Sequence, residues 1–206
     1  LLGQLMGGGM GMPRFEAAEV GNLELAWLIP LSLIGTVCGW LYFVSEHASE
    51  ALAHAIGERP VVKAMLAGLA LAICGTVLPY TMFAGETQAD VLMETYLTIP
   101  AGVLIATGLV KAMLTPALIN MGWRGGHFFP VIFSGVSLGY GLAILTGADP
   151  VFCVAVCTAS TMGAVMRQPV MVVGLLLMCF PLKGIVCMII AAVIAAGIPL
   201  PKSLRK

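Results

Sequence analysis

Long apolar runs separated by short polar stretches organise this chain. A transmembrane helix needs about 20 apolar residues, and four runs approach or exceed that length: 25–44, 61–81, 99–121 and 131–146. Three later runs, 151–166, 170–180 and 184–198, are shorter and bounded by proline, arginine or lysine, which is more typical of core or re-entrant segments. The pattern predicts an all-α integral membrane protein with multiple tilted, broken and re-entrant helices.

The composition is that of a membrane protein. Hydrophobic residues make up 60% of the chain and charged residues 10%, whereas globular proteins carry roughly 25% charged residues. The mean hydropathy is +1.03. Because the net charge is zero, nothing indicates a nucleic-acid partner; the expected partner is the lipid bilayer. The basic tail, Lys202, Arg205 and Lys206, favours a cytoplasmic C-terminus.

One long helix is predicted over 23–56, and its second part is amphipathic. Glu46, Glu50 and His54 follow one another at intervals of four residues, so their side chains lie on neighbouring turns. A metal site is one interpretation of this spacing. No other predicted helix offers matching glutamates or histidines, so we predict a solvated helix end and no metal.

A glycine-rich break at 122–130 separates two of the long apolar runs. Broken backbone at membrane depth is tolerated only where it is buried in protein or lines a cavity. Gly122, Gly125 and Gly126 free the backbone, and a helix that begins after Gly126 would expose its first amides. Such amides and the helix dipole attract anions. The break therefore predicts an anion site made of backbone amides.

Lys111 lies within an apolar run, where a charged group is expected to be functional or paired. It is either a functional cation or a structural lysine bonded to backbone carbonyls at a helix end. The six cysteines all lie in apolar runs and are predicted to be packing residues. No nucleophile–base pair or catalytic motif is present, so the protein is predicted not to be an enzyme and to have no cofactor.

These residues resemble the third conserved region of the CLC family of chloride channels and chloride/proton antiporters. That region has a lysine or arginine, a threonine-rich stretch and Gly-Gly-x-Phe-x-Pro, which match Lys111, Thr115 and residues 125–130. The runs 162–164 and 167–169 resemble the family's next motif, and 23–56 resembles its long tilted helix. The resemblance covers nearly all of 1–206 but only the C-terminal half of a subunit, that is, half of an inverted-repeat fold. We therefore expect a fragment whose N-terminal half is missing, and the apolar start 1–12 looks like the end of an earlier membrane segment.

The resemblance implies transmembrane chloride transport in the cell membrane, by a voltage-gated-type channel or a chloride/proton exchanger. It places the chloride on the backbone amides of Gly126, His127 and Phe128. It also implies a homodimer that forms through the region 170–196. The side chain of His127 is either packed nearby or a titratable group that tunes anion affinity. Other residues of the motifs are expected to have structural roles: Lys111, Gly122, Gly125, Pro130, Arg167 and Pro169.

Several features of the family pattern have no match in this sequence. The other two family motifs, and the gating glutamate in one of them, do not occur in this sequence. Pro201 stands about where the family places the tyrosine that caps the ion. Channel and exchanger therefore remain open, as does a non-conducting membrane scaffold or partner-binding half-module.

Overall fold

The computed structural model describes residues 13–82, 84–201 and 204, apart from the side chain of Glu86. The predicted start at 1–12 and the basic residues of the tail lie outside this part of the chain. Two short 3-10 turns, Pro79–Thr81 and Tyr96–Thr98, join longer helices. No strand occurs in the described ranges, which confirms the all-α prediction. The helices there are α1 (Asn22–Ile56), α2 (Pro60–Val77), α3 (Glu86–Thr95), α4 (Ala101–Asn120), α5 (Phe128–Thr146), α6 (Pro150–Met166), α7 (Pro169–Leu176) and α8 (Ile185–Gly197).

Four of these helices, α1, α2, α4 and α5, are long and apolar enough to cross a membrane. They correspond to the four long apolar runs of the sequence. The helices α6 and α8 are apolar but shorter. The chain is thus a multi-pass membrane protein with shorter helices near its C-terminal end.

The prediction for the segment before α4 was partly wrong. The polar residues 83–90 predict a loop followed by a short helical piece over 91–97, but α3 begins at Glu86, directly after Gly85. Ala89 and Leu92 are both buried. Because they are three residues apart, they share one helix face. The polar residues at 86, 87, 88 and 90 made this amphipathic helix resemble a loop.

Helix α6 is the centre of the fold. All of its residues from Phe152 to Ala164 are buried, because α1, α5 and α8 pack around it. Two of its hydroxyl groups find backbone acceptors in this interior: Ser160 donates to the Val156 carbonyl at 2.8 Å, and Thr161 donates to the Gly35 carbonyl of α1 at 3.2 Å. Ser160 and Thr161 are thus hydrogen-bonded, as burial requires, whereas the buried hydroxyl of Thr158 has no hydrogen-bond partner among the described residues.

Small residues let α5 lie directly on α6, since serine or glycine occupies positions 134, 135, 137, 139 and 141. A Cβ atom on Gly139 would lie 2.8 Å from the Val154 nitrogen and 2.9 Å from the Cys153 oxygen. Both contacts are with backbone atoms, so no side-chain movement could relieve them. Close approach through small residues is a common mode of helix packing in membranes.

Polar side chains tie the ends of distant helices together. Glu24, in the first turn of α1, accepts hydrogen bonds from the amides of Gly21 at 2.9 Å and Asp149 at 3.1 Å. Asp149 caps α6 by accepting from the Phe152 amide at 2.7 Å. These contacts hold the N-terminal ends of α1 and α6 side by side.

Arg167 links the end of α6 to the end of α8. It follows α6 in a left-handed conformation, with φ 57°, and its Nη1 donates to the carbonyls of Ala196 at 3.0 Å and Ile198 at 2.6 Å. The last carbonyls of a helix lack intrahelical partners, and a guanidinium satisfies them well. Pro169 follows as the first residue of α7. The second predicted motif is thus a junction of three helices.

Helix α2 differs from the others because almost none of its residues are buried. Of its residues, all of which are described, only Ala67 is buried. Val61, Met65 and Val77 are each about 70% exposed, at 69%, 69% and 72%. Its outer surface therefore suits lipid or a further protein segment.

Candidate anion site

The glycine break joins the end of α4 to the start of α5. After α4 ends at Asn120, Gly122 turns the chain with φ 93°, a conformation that favours glycine. The amides of Gly122 and Trp123 donate back to the carbonyls of Ile119 at 2.9 Å and Leu118 at 3.1 Å. This arrangement is a helix C-terminal cap with a left-handed glycine. Gly122 therefore ends the helix, and it does not approach the predicted anion.

Helix α5 begins at Phe128, directly after the two glycines, as the sequence predicted. His127 is its N-terminal flanking residue, and the carbonyl of His127 accepts from the Val131 amide at 3.1 Å. Within the described part of the chain, no protein group accepts a hydrogen bond from the amides of Gly126, His127 or Phe128. These N–H groups lie at the positive end of the α5 dipole. They have the arrangement that binds anions at helix N-termini.

The ring of His127 packs between two aromatic side chains. It stacks on Phe128 with ring centroids 4.6 Å apart, and it meets Tyr42 of α1 edge-on at 6.5 Å. The imidazole makes no capping hydrogen bond to α5. The contacts correspond to the packed interpretation of His127, and they keep the ring beside the amides.

Lys111 is buried, with 4% of its surface exposed. Its Nζ donates to the Thr81 carbonyl at 2.6 Å, and the Thr115 hydroxyl donates to the Lys111 carbonyl at 2.8 Å. The ammonium thereby holds the 3-10 turn Pro79–Thr81 against the middle of α4. Of the two sequence interpretations, the geometry supports the structural lysine, although its acceptor lies at the end of a different helical segment.

A cavity of about 480 Å³ lies beside the break, and we call it the glycine-break cavity. Its polar wall includes Lys111, Thr115, Arg124, Gly125 and Gly126. The structure therefore brings Lys111 together with the two glycines and with Pro130, which also lines the cavity. Arg167 and Pro169 are at the separate junction of α6, α7 and α8.

Sequence reasoning missed three side chains around the break. Arg124 and Trp123 line the cavity, and Tyr42 packs on His127. Arg124 carried a usable signal, since it is a charge beside glycines between two apolar runs. Tyr42 carried none, because it is distant in sequence and looks like any aromatic residue of an apolar helix.

A metal site was one interpretation of the spacing of Glu46, Glu50 and His54, and such a site would need several ligands close together. Among the described residues, no group of three or more His, Cys, Asp or Glu side chains could hold a metal ion. His54 at the end of α1 is exposed. Glu46 and Glu50 are half-buried there.

Comparisons with known proteins give a family and a fold. The family model described as voltage gated chloride channel matches residues 3–199. The crystal structure of a CLC-type fluoride/proton antiporter superposes with a TM-score of 0.76 and 20% sequence identity, over 95% of this chain and 49% of the antiporter chain. The chain thus spans about half the length of that protein. A search of curated proteins found no match.

Both names describe transport proteins and not enzymes, as the sequence predicted. The family model extends over nearly the whole chain, from the residues before α1 to the end of α8. The order of the helices agrees with the fold of the antiporter. This chain therefore belongs to the voltage gated chloride channel family.

Proposed function

We propose that this chain forms the C-terminal half of a subunit that moves halide anions across the cell membrane. Chloride is the first candidate because the family model is named for it, and fluoride is the second because the superposed antiporter carries it. The observation that carries the proposal is the set of three N–H groups, those of Gly126, His127 and Phe128, at the start of α5.

The chemistry follows from the geometry of that helix end. Backbone amides and the helix dipole stabilise an anion without a fixed positive charge. An ion that is to be transported has to be bound weakly enough to leave again, and amides meet that requirement better than a salt bridge. Pro130, the third residue of α5, has no N–H to offer. The anion is therefore held by the amides before it.

The rest of the ion path is proposed to come from an N-terminal half of the same subunit. The superposed antiporter chain is about twice as long as the part that this chain covers. That half would bring the second group of anion ligands to face the amides of α5. A chain comprising only these 206 residues is expected to show no flux in liposomes. Flux from the isolated chain at the rate of the complete protein would contradict this division of the pathway.

A homodimer is proposed to form through α7 and α8, in the region 170–196. The outward side chains there are apolar: Val170, Val186 and Val193 are 87%, 63% and 51% exposed. Apolar faces of this kind suit helix–helix packing in a bilayer. Single-molecule photobleaching of the labelled complete protein in liposomes should show two subunits, and one bleaching step per particle would refute the dimer.

Halide efflux from liposomes that contain the complete protein tests the transport proposal. An outward chloride gradient should drive chloride efflux, and the same assay with fluoride ranks the two ions. An exchanger would also move protons uphill, and a proton ionophore would abolish that proton gradient. A channel would conduct independently of pH gradients. Absence of flux from the correctly folded complete protein would refute transport and favour a non-conducting scaffold.

A glycine substitution connects the flux to the amides. A Cβ on Gly126 would meet nothing within 4 Å, so Gly126→Leu is expected to fold and to place its side chain beside the anion site. The matched control is Gly102→Leu in α4, where a Cβ also meets nothing within 4 Å. Gly126→Leu should reduce flux by about tenfold or more, the effect of losing about 1.4 kcal/mol of binding. If Gly126→Leu and Gly102→Leu show equal flux, the amides of α5 do not belong to the anion pathway.

A further inference from the structure

The glycine-break cavity has a shape and lining that the anion site does not use. Its volume of about 480 Å³ lies within the range of small-molecule pockets, about 300–1,000 Å³. Most of its wall is apolar, with Leu71 of α2, Leu118 of α4 and the indole of Trp123 among the contributors. A single halide ion would leave most of this space unfilled.

The charge of the lining is one-sided. Lys111 and Arg124 are the charged side chains among the described lining residues, and both are cations. Lys111 is buried at the inner end beside the Thr81 carbonyl, whereas Arg124 is exposed. A ligand with an apolar body and an anionic head is complementary to this arrangement.

The cavity also borders α2, an apolar helix whose outer surface is exposed. Leu71 of α2 contributes to its wall, and only Ala67 of that helix is buried. Trp123 lies close to α2 at Gly68, where its indole would be 3.9 Å from an added Cβ. An amphiphile dissolved in the bilayer therefore has a short route to the cavity past α2.

We propose that the glycine-break cavity binds an amphiphilic carboxylate, such as a fatty acid, with its chain against Leu71, Leu118 and Trp123 and its head near Lys111 and Arg124. Carboxylates are favoured because they pair with guanidinium groups in a planar, bidentate manner. The proposal does not depend on halide transport. Because Gly125 and Gly126 belong to the wall, the bound ligand would also touch the segment that positions the α5 amides.

Trp123 provides a direct readout. The chain has three tryptophans, and replacing Trp27 and Trp40 by phenylalanine leaves Trp123 as the only one. The indole nitrogen of Trp40 has no hydrogen-bond partner within the described residues, so its replacement breaks no such bond. A terminally brominated undecanoate is titrated into the complete protein carrying these two changes, with any tryptophan outside these 206 residues also replaced by phenylalanine, and quenching of Trp123 fluorescence is measured. The alcohol of the same length, brominated at the same position, is the uncharged control probe.

Two pairs of variants distinguish binding of the probe in the cavity from its partitioning into the detergent micelle around the protein. Leu71→Phe reduces the cavity volume, and its control is Leu69→Phe on the same helix, at a residue that is 58% exposed and outside the cavity. Arg124→Gln removes the exposed cation, and its control is Arg59→Gln at the exposed start of α2. Neither change removes the Lys111 contact that holds the 3-10 turn.

The expected result is saturable quenching by the carboxylate, lost in Leu71→Phe and kept in Leu69→Phe. Arg124→Gln should weaken binding by about two- to fivefold, as expected for an exposed ionic contact, and Arg59→Gln should leave it unchanged. Non-saturable quenching, or quenching that Leu71→Phe does not alter, would refute the site. Equal binding of the alcohol, or no effect of Arg124→Gln, would refute the assignment of a carboxylate.

Discussion

Gly139→Ala is the sharpest test of the packing between α5 and α6. The added Cβ would press on the Cα of Val154 and would lie 2.8 Å from its nitrogen, whereas carbon atoms normally rest about 3.5–4.0 Å from their neighbours. Both partners are backbone, so the two helices would have to move apart. Overpacking typically costs about 1–3 kcal/mol, and backbone clashes belong at the upper end of that range.

Helix propensity acts in the opposite direction. Alanine is favoured over glycine inside a helix by about 1 kcal/mol. The expected net loss in the free energy of unfolding is therefore about 2 kcal/mol. For a chain of this length, that corresponds to a decrease in Tm of about 4–8 °C.

Thermal unfolding of the purified protein in detergent measures this shift, with Gly174→Ala as the matched control. Gly174 lies in α7, and a Cβ there meets nothing within 4 Å. The control should be as stable as the parent protein or up to about 1 kcal/mol more stable. If Gly139→Ala is as stable as Gly174→Ala, the close contact between α5 and α6 is refuted.

Three further substitutions test the ends of the helices. Arg167→Met removes the two hydrogen bonds from its guanidinium to the carbonyls at the end of α8, and should lower the free energy of unfolding by about 2–3 kcal/mol in detergent unfolding. An unchanged Tm would contradict the link between α6 and α8. Asp149→Ala removes the cap of α6 and should cost about 1 kcal/mol, with faster hydrogen exchange at the Phe152 amide; unchanged exchange would exclude the cap. Gly122→Ala forces alanine to φ 93° and should lower the free energy of unfolding by about 1–2 kcal/mol, measured as a lower Tm. The control is Gly125→Ala, which should leave Tm unchanged because Gly125 does not have a positive φ.

The apolar pattern was sufficient to predict most helices within a few residues. The helix predicted over 23–56 is Asn22–Ile56, because its apolar residues continue past Pro30 into an amphipathic end, and the next glycine after that end is the C-cap, Gly57. The start of α5 was predictable as well, since Gly125 and Gly126 interrupt the pattern immediately before Phe128. The extent of α1 and the start of α5 both depend on residues that are neighbours in the chain, and the sequence shows those neighbours directly.

The contacts between distant segments could not be predicted in the same way. The acceptor of Lys111 is the carbonyl of Thr81, a backbone atom thirty positions earlier in the chain, and every residue has such a carbonyl. The cavity depends on where α2 lies relative to α4, and α2 has only one buried residue to fix that position. The glycines of the candidate anion site are visible in the sequence, whereas the contact of Tyr42 with His127 depends on tertiary packing alone.

The burial of α6 constrains how the protein is made. A helix that is short for a bilayer and surrounded by other helices gains little from lipid, and small residues and hydroxyl groups suit it to protein neighbours. The earlier helices α1, α2, α4 and α5 are long and apolar enough to enter the bilayer as they emerge from the ribosome. The surfaces that bury α6 belong to α1, α5 and α8, so we expect its burial to be complete only after α8 has been synthesised. The central helix of the fold is therefore among the last to reach its final position during biogenesis.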